Sequence, residues 1–423
     1  MDSGEMNRRI LIAIRNFSLW TTGTGLALSW ASLLHAAVTL DGSVGRAGAL
    51  PGPNYQITAD LGRQVGGNLF HSFGQFSINT GESATFSGSN SVSNIIGRVT
   101  GGQMSFIDGA IRSTIPGANL YLLNPTGMLF GEHATLDVSG SFHVSTADYL
   151  RLSDGGRFDA RIPDNSVLTV APIAAFGFLS DAPGKIEVNG SFLRVSEGQT
   201  LSLVGGDLNL TNATLYAPAG RINLAAVGSA GEVIPTDTGL SMQGFGRLGV
   251  ILVDHSSTQR VVVDLGDPPG ETKLGDVDAS GQSGGGIFIR GGQWVSRGGW
   301  VFANTYGDPK GQGVDVVLSG AAQLEDEAQL IVDTLGAGDA GSVTLHVGRL
   351  ELSGGSQIAA NTFGSGDGGG ITITTRDAVI ISGTGSTEDV LSGLYALSSI
   401  GDAGSITLNA VSYTHLDVYK RQL

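Results

Sequence analysis

Gly341-Ser-Val-Thr-Leu-His-Val-Gly-Arg-Leu-Glu-Leu-Ser-Gly-Gly-Ser-Gln-Ile-Ala-Ala360 contains three short apolar runs, at 342–347, 349–352 and 357–360, separated by glycine. Each has the length of a strand and is bounded by turn residues. Its opening Gly-Ser-Val has counterparts at Gly284-Gly-Gly-Ile287, Gly313-Val314, Gly369-Gly-Ile371 and Gly404-Ser-Ile406. Taking Ile287, Val314, Val343, Ile371 and Ile406 as equivalent, the steps are 27, 29, 28 and 35 residues. Three strands in that period mark a right-handed parallel β-helix. A β-propeller blade needs ~40–45 residues, antiparallel hairpins and a Trp-Asp signature that is missing here.

The fold class expected is therefore all-β, a right-handed parallel β-helix with an N-terminal β cap and extra-helical loops or hairpins. Coils stack at roughly 4.8 Å, with Ile, Val and Leu in inward columns and Gly, Asn and Asp at the bends. Residues 84–410 would make about a dozen coils, a rod on the order of 60 Å long. Leu345, Ile371 and Ile406 are expected to point into the stack.

Composition agrees. The 423 residues include 67 glycines and only 14% are charged, which suits short strands and tight turns. A positive mean hydropathy argues for a packed core over Gly-rich disorder. A net charge of −15 speaks against nucleic acid. There is no cysteine, so disulfides, thiolate nucleophiles and Cys-based metal sites are excluded.

Toward the N-terminus, strands are expected at 83–86, 94–99, 104–107, 120–123, 128–130, 135–138 and 141–145. Residues 41–79 should form the cap that protects the first strand edge. Val138-Ser-Gly-Ser-Phe142 returns as Val188-Asn-Gly-Ser-Phe192. Between them 152–172 is more charged and carries Pro163, and is expected to leave the stack. Asn119-Leu-Tyr-Leu-Leu-Asn-Pro-Thr-Gly-Met-Leu-Phe-Gly131 reads as two strands hinged on Asn124-Pro125-Thr126-Gly127. Pro125 presets φ, Asn124 can bond its own backbone two residues on, and Gly127 closes the turn without steric cost. By local chemistry alone this is a β-turn.

The flanking sequence adds a resemblance. From Thr39 to about Val170 the chain is similar to the secretion domain of two-partner secretion exoproteins of the filamentous haemagglutinin type. The likeness runs through Asp41-Gly-Ser-Val-Gly45, Gly67-Asn-Leu-Phe-His-Ser-Phe73, Phe76-Ser-Ile-Asn-Thr-Gly-Glu82, Asn94-Ile-Ile-Gly-Arg-Val-Thr-Gly-Gly102, Ile107-Asp-Gly109 and the Asn-Pro-Thr-Gly turn. Many haemagglutinins have Asn-Pro-Asn-Gly at that turn, so Thr126 departs from them, and no Asn-Pro-Asn-Leu stands upstream. The resemblance implies a secretion motif at Asn119, Asn124, Pro125, Thr126 and Gly127. It implies a partner, an outer-membrane β-barrel transporter with periplasmic docking modules. It also implies secretion to the medium or the surface of a Gram-negative bacterium, and adhesion or haemagglutination through a host or cell-surface receptor. The chain reads as a monomer that needs no cofactor.

Domains are assigned accordingly: 1–37 a signal peptide, 38–270 the secretion domain, 271–410 β-helix repeats and 411–423 a non-native tail. Arg8, Arg9 and Arg15 form a positive n-region before an apolar stretch at 19–34, with cleavage near Ala36 and Ala37. The stretch is short and broken by polar residues, which argues against a membrane anchor. The tail has no glycine, two tyrosines and Lys420-Arg421.

Enzyme signals are weak, and the chain is read as a non-enzyme. Gly281-Gln-Ser-Gly-Gly285 has the nucleophile-elbow pattern, but a strand follows instead of a helix. Gly336-Ala-Gly-Asp-Ala-Gly341 and Gly364-Ser-Gly-Asp-Gly-Gly369 match the dinucleotide fingerprint and also run into strands. No two of the seven histidines have metal-ligand spacing, and His133 and His143 read as surface or core-edge residues. Asp339, Asp367 and Asp402 read as turn aspartates, since the nine-residue calcium repeat is absent. The alternative function is a β-helical polysaccharide-degrading enzyme, which would need Asp264, Asp267, Asp276 and Asp278 to converge in a groove.

Overall fold

Strand Ser342–Val347 shows how one coil is made. Val343, Leu345 and Val347 are buried while Ser342 and His346 face solvent, the period of a strand with one covered face. Past Gly348 the chain enters Arg349–Ser353. It then turns at Gly354 and Gly355, whose φ values of +61° and +82° favour glycine, into Gln357–Ala359. All three strands pair in parallel with the next coil, Val343 against Ile371, Leu350 against Val379 and Ile358 against Leu394. A computed structural model describes residues 37–264, 271–387 and 389–416, and this three-strand coil recurs throughout them. The fold is a right-handed parallel β-helix.

Three faces result. The first runs from Asn68–Phe76 to Ile406–Asn409 and the second from Ser105–Ile107 to Ser412–Leu416. The third comes in two blocks, Asn54–Thr58 to Thr135–Asp137 and then Phe192–Arg194 to Gly393–Tyr395. The column read from the repeat is the observed register, Ile287, Val314, Val343, Ile371 and Ile406 lying side by side. Leu345 and Ile371 are fully buried, but Ile406 is 41% exposed. Its register is as expected, but no described strand of that face stacks beyond it.

Other expectations are adjusted. The stack starts earlier than residue 83, because Asn54–Thr58 and Asn68–Phe76 already pair in parallel with the next coil. The cap proper is the antiparallel pair Val38–Asp41 and Ala47–Ala49, with Val38–Asp41 covering the edge of Asn68–Phe76. The repeated phrase is not a coil repeat. Val138–Phe142 joins the third face to the first, whereas Val188–Phe192 joins the second to the third. Across position 270 the first face continues unbroken, Arg221–Ala226 pairing with Gly286–Gly291. The expected tail stays in the ladder over Ser412–Leu416, paired with Ala378–Ser382, although Val411 and Tyr413 are exposed. The signal segment through Ala36 and residues 417–423 lie outside the described residues.

The excursion is larger than 152–172. Tyr149–Leu152, Arg157–Asp159 and Ile173–Phe178 form an antiparallel sheet, joined by a hairpin from farther along the chain, Gly231–Thr236 and Gly239–Gln243. It lies on the outside of the first face and builds a second core there. Phe70, Ile96, Leu123, Val204 and Ala225, from five coils of the first face, pack with Leu150, Phe158, Phe176, Phe178 and Val233. First-face strands under this cover are therefore apolar on both sides, as in Leu69-Phe70, Ile95-Ile96 and Leu122-Leu123, all buried.

Candidate functional site

Asn124 stands where strand Asn119–Leu123 of the first face turns into Met128–Phe130 of the second. Its side chain is fully buried and every polar atom of it is engaged. Oδ1 accepts the Thr126 N–H at 3.0 Å, the self-bond expected of an asparagine opening a turn. Nδ2 donates backwards to the preceding coil, to the Gln103 carbonyl at 2.8 Å and to Ser105 Oγ at 3.0 Å. Its backbone N–H donates forwards to the Ser145 carbonyl at 2.9 Å, and its carbonyl accepts the Gly127 N–H at 3.0 Å. One residue thus ties three coils together. Gly127 has φ +128°, and a Cβ there would lie 3.0 Å from the Lys185 carbonyl oxygen. Pro125 is half-buried and Thr126 is exposed, so the one departure from the haemagglutinin turn faces solvent.

Asn119 belongs to a ladder of asparagines. Its Nδ2 donates to Asn94 Oδ1 at 3.1 Å, and Asn94 Nδ2 donates to Asn68 Oδ1 at 2.9 Å. Asn119 Oδ1 accepts the Ser141 N–H at 3.0 Å, carrying the chain of bonds into a fourth coil. At the other end Asn68 Nδ2 holds the carbonyls of Thr169 at 3.1 Å and Ala171 at 2.9 Å, both in the excursion. Three asparagines at steps of 26 and 25 residues were a signal in the sequence, since a parallel stack brings one-coil spacings into contact.

A second cluster gathers residues from the separate stretches that carry the resemblance. Arg98 is fully buried. Its Nε donates to Ser72 Oγ at 2.7 Å, Nη2 to Ser43 Oγ at 2.8 Å, and Nη1 to Ser166 Oγ at 2.6 Å and to the Asp159 carbonyl. The guanidinium lies 4.2 Å from the Phe158 ring centre. Asp41 accepts from Ser72 Oγ at 2.6 Å, Thr100 Oγ1 at 2.8 Å and both the N–H and the hydroxyl of Ser43 at 2.8 Å. Burial lowers the Arg98 pKa to about 10, opposed by Asp41, Asp159 and Asp164. Burial alone would raise the Asp41 carboxyl, but these donors outweigh it and hold it below its ordinary value. The cluster fastens the cap, two coils and the excursion to one another.

The remaining candidates have structural roles. His143 sits under the excursion, stacked on Tyr121 at 4.3 Å with Nδ1 2.9 Å from Ser202 Oγ, and burial lowers its pKa to about 3. His133 is exposed and pairs with Asp108 at 3.2 Å. Asp367 and Asp402 donate their N–H groups to the carboxylates of Asp339 and Asp367 one coil back, at 3.0 and 3.3 Å. Strands Gly286–Gly291, Ser342–Val347 and Ile371–Thr375 follow the three glycine motifs. Asp276 is buried between His255 Nδ1 at 2.6 Å and Arg260 Nη1 at 2.7 Å, and accepts the Trp300 N–H at 2.8 Å. Asp278 is buried too, accepts the N–H groups of Gly275 and Ser280 at 2.8 Å, and burial raises its pKa to about 6. Asp264 lies on the exposed strand Val262–Asp264, and Asp267 falls outside the described residues. Among the described residues Asp276 and Asp278 are buried and Asp264 is exposed, so these three do not converge in one groove. Among the described residues no three His, Cys, Asp or Glu side chains are grouped to hold a metal, and no helix is long and apolar enough to cross a membrane.

Residues 36–259, more than half of the chain, match the TPS secretion domain family. The chain belongs to that family. The matched span takes in the cap, the Arg98 cluster, the Asn124 turn and the whole outer sheet through Gln243. Among solved structures, the HMW1 secretion domain from Haemophilus influenzae superposes with a TM-score of 0.50 over 90% of this chain and 98% of that one. At 17% identity this is a likeness of fold. No curated protein matches the chain. For the TPS family member described here, the second core and the buried asparagine turn both lie inside the family span.

Proposed function

We propose that this chain is a secreted exoprotein whose N-terminal domain is recognised by an outer-membrane β-barrel transporter with periplasmic docking modules. Beyond that domain the β-helix serves as the stalk of an adhesin or haemagglutinin that meets a host or cell-surface receptor. The observation that carries the reading is membership of the TPS secretion domain family over 36–259. The physical chemistry supports it. A chain without cysteine crosses a pore with no covalent loop to undo. Each emerging coil then finds the open edge of the preceding coil on which to stack, so folding proceeds in the direction of export. The Asn124 turn and residues Asn119, Pro125, Thr126 and Gly127 are proposed as the secretion motif, and the chain as a monomer, reached through a signal peptide cleaved near Ala36 and Ala37. The burial of Asp276 and Asp278 weighs against the polysaccharide-degrading alternative.

The test is export. The full chain is co-expressed with its cognate barrel in a Gram-negative host, and supernatant and periplasm are compared with and without the barrel. Barrel-dependent appearance in the supernatant is expected. Equal export without the barrel, or retention despite it, would overturn the reading. Agglutination of red cells by the purified chain tests the adhesin part separately.

A further inference from the structure

A groove of about 820 Å³ lies where the second face turns toward the third. Its floor crosses four coils. Phe106 and Leu129 are register partners at the centre of adjacent second-face strands, and Asn189 and Thr211 are partners at the ends of the following two. At the spacing of paired strands the floor is on the order of 15 Å long. One wall is the corner Gly131-Glu132-His133, and the other is the loop at 257–261.

Both walls are fixed. Asp108 accepts the His133 N–H at 2.9 Å and faces its Nδ1 at 3.2 Å. Asn212 Oδ1 accepts the N–H groups of Ser256 and Ser257 at 2.9 and 2.8 Å, which sets the root of the loop. Its far end is pinned by Arg260, bonded to Asp276 at 2.7 Å and to the Gly298 carbonyl at 2.5 Å and stacked 3.6 Å over Trp300. In contrast, among the described residues the side-chain amides of Asn189 and Gln259 are exposed and bond to nothing, as does the Glu132 carboxylate. Hence the groove combines a rigid frame, a floor that is apolar at Phe106 and Leu129 and polar at Asn189 and Thr211, and a second free amide, Gln259, on its wall.

We propose that this groove binds a short stretch of a neutral glycan. A ring of sugar C–H groups covers Phe106 and Leu129, and the amides of Asn189 and Gln259 exchange hydrogen bonds with its hydroxyls. Anionic ligands are disfavoured, because Glu132 and Asp108 flank the groove and the Arg260 charge is already committed to Asp276. An extended peptide is disfavoured for a different reason. Three of the floor strands are paired on both edges by neighbouring coils, and on the outer edge of Ser105–Ile107 the Phe106 N–H donates to Ser77 Oγ at 3.1 Å while its carbonyl accepts the Ile78 N–H at 2.8 Å, so the floor offers a strand no free backbone groups.

The experiment uses the purified full chain and neutral tetrasaccharides of glucose, N-acetylglucosamine, galactose and mannose, with a heparin tetrasaccharide and a neutral decapeptide as rivals. Saturation-transfer NMR detects binding and calorimetry gives the affinity. At least one neutral tetrasaccharide is expected to bind. Asn189→Ala and Gln259→Ala should each weaken it roughly fivefold, as for one lost hydrogen bond. Both positions are exposed, so thermal melting should not move, and Phe106→Ala should weaken binding further. Absence of transfer to every neutral tetrasaccharide would overturn the proposal. So would affinities untouched by both amide variants, or binding of the heparin fragment or the peptide in preference.

Discussion

Asn124→Ala separates a recognised turn from a merely structural one, and its cost can be worked from contacts. From the turn chemistry alone, about 1 kcal/mol is expected for a single lost side-chain bond. The structure raises that figure. The substitution removes two donated bonds and one accepted bond at a fully buried site. Gln103 and Thr126 are exposed, so their backbone groups regain water and each bond costs about 1 kcal/mol. Ser105 is buried, and its hydroxyl, left without that donor, costs about 1 kcal/mol more. The sum is about 3 kcal/mol, or a factor of roughly 100 in local opening. Native-state hydrogen exchange reads it directly, and the N–H groups of Ser105, Asn124 and Gly127 should exchange about a hundredfold faster. A change below about fivefold would refute the accounting, because it would mean the amide is not in these bonds. Export through the barrel is then compared with Leu345→Ala, which opens a cavity far from the turn at about 2–5 kcal/mol. If Asn124→Ala exports no worse than Leu345→Ala, the turn acts through stability alone. A much sharper loss places recognition at the turn. Pro125→Ala should be milder in both assays, since it only loosens the turn and frees the unfolded chain.

Ile371→Asp should cost several kcal/mol in a melting experiment, whereas Ile406→Asp, on the open last layer, should cost far less; equal losses would contradict the register. Arg98→Met leaves the buried Ser72 hydroxyl without its Nε donor and removes the bonds to Ser166 and the Asp159 carbonyl, releasing the excursion at about 3 kcal/mol. Rapid tryptic cleavage at Arg151, Arg157 and Arg161 should follow, and an unchanged digest would dissolve the proposed fastening. Asp278 has its folded pKa raised from 3.8 to about 6, so the folded chain holds the extra proton between those values. The contribution is thus greatest below pH 4 and is lost as pH rises toward 6. Asp278→Asn should flatten that part of the curve of melting temperature against pH, and an unaltered curve would show that folding leaves the Asp278 pKa at its ordinary value.

Much was legible along the chain because it depends on neighbours in sequence. The three-strand period, the inward column from Ile287 to Ile371, the turn at Asn124 and the position of the excursion all follow from local alternation and turn chemistry. In a stacked coil, residues one period apart must meet, so periodicity is already tertiary information. What covers the outside of the stack was not legible. Leu69-Phe70, Ile95-Ile96 and Leu122-Leu123 read as apolar runs whichever element packs on their outer side. Only the folded chain brings residues 149–178 and the hairpin of 231–243 onto them. The same holds for Arg98, whose partners come from the cap, the first coil and the excursion, up to 68 residues away. It holds for Asp276 and Asp278, where surface and interior look alike in sequence. The Arg98 contacts arise where the excursion leaves the stack and returns. That path is set by the total apolar area it can bury, not by any short motif.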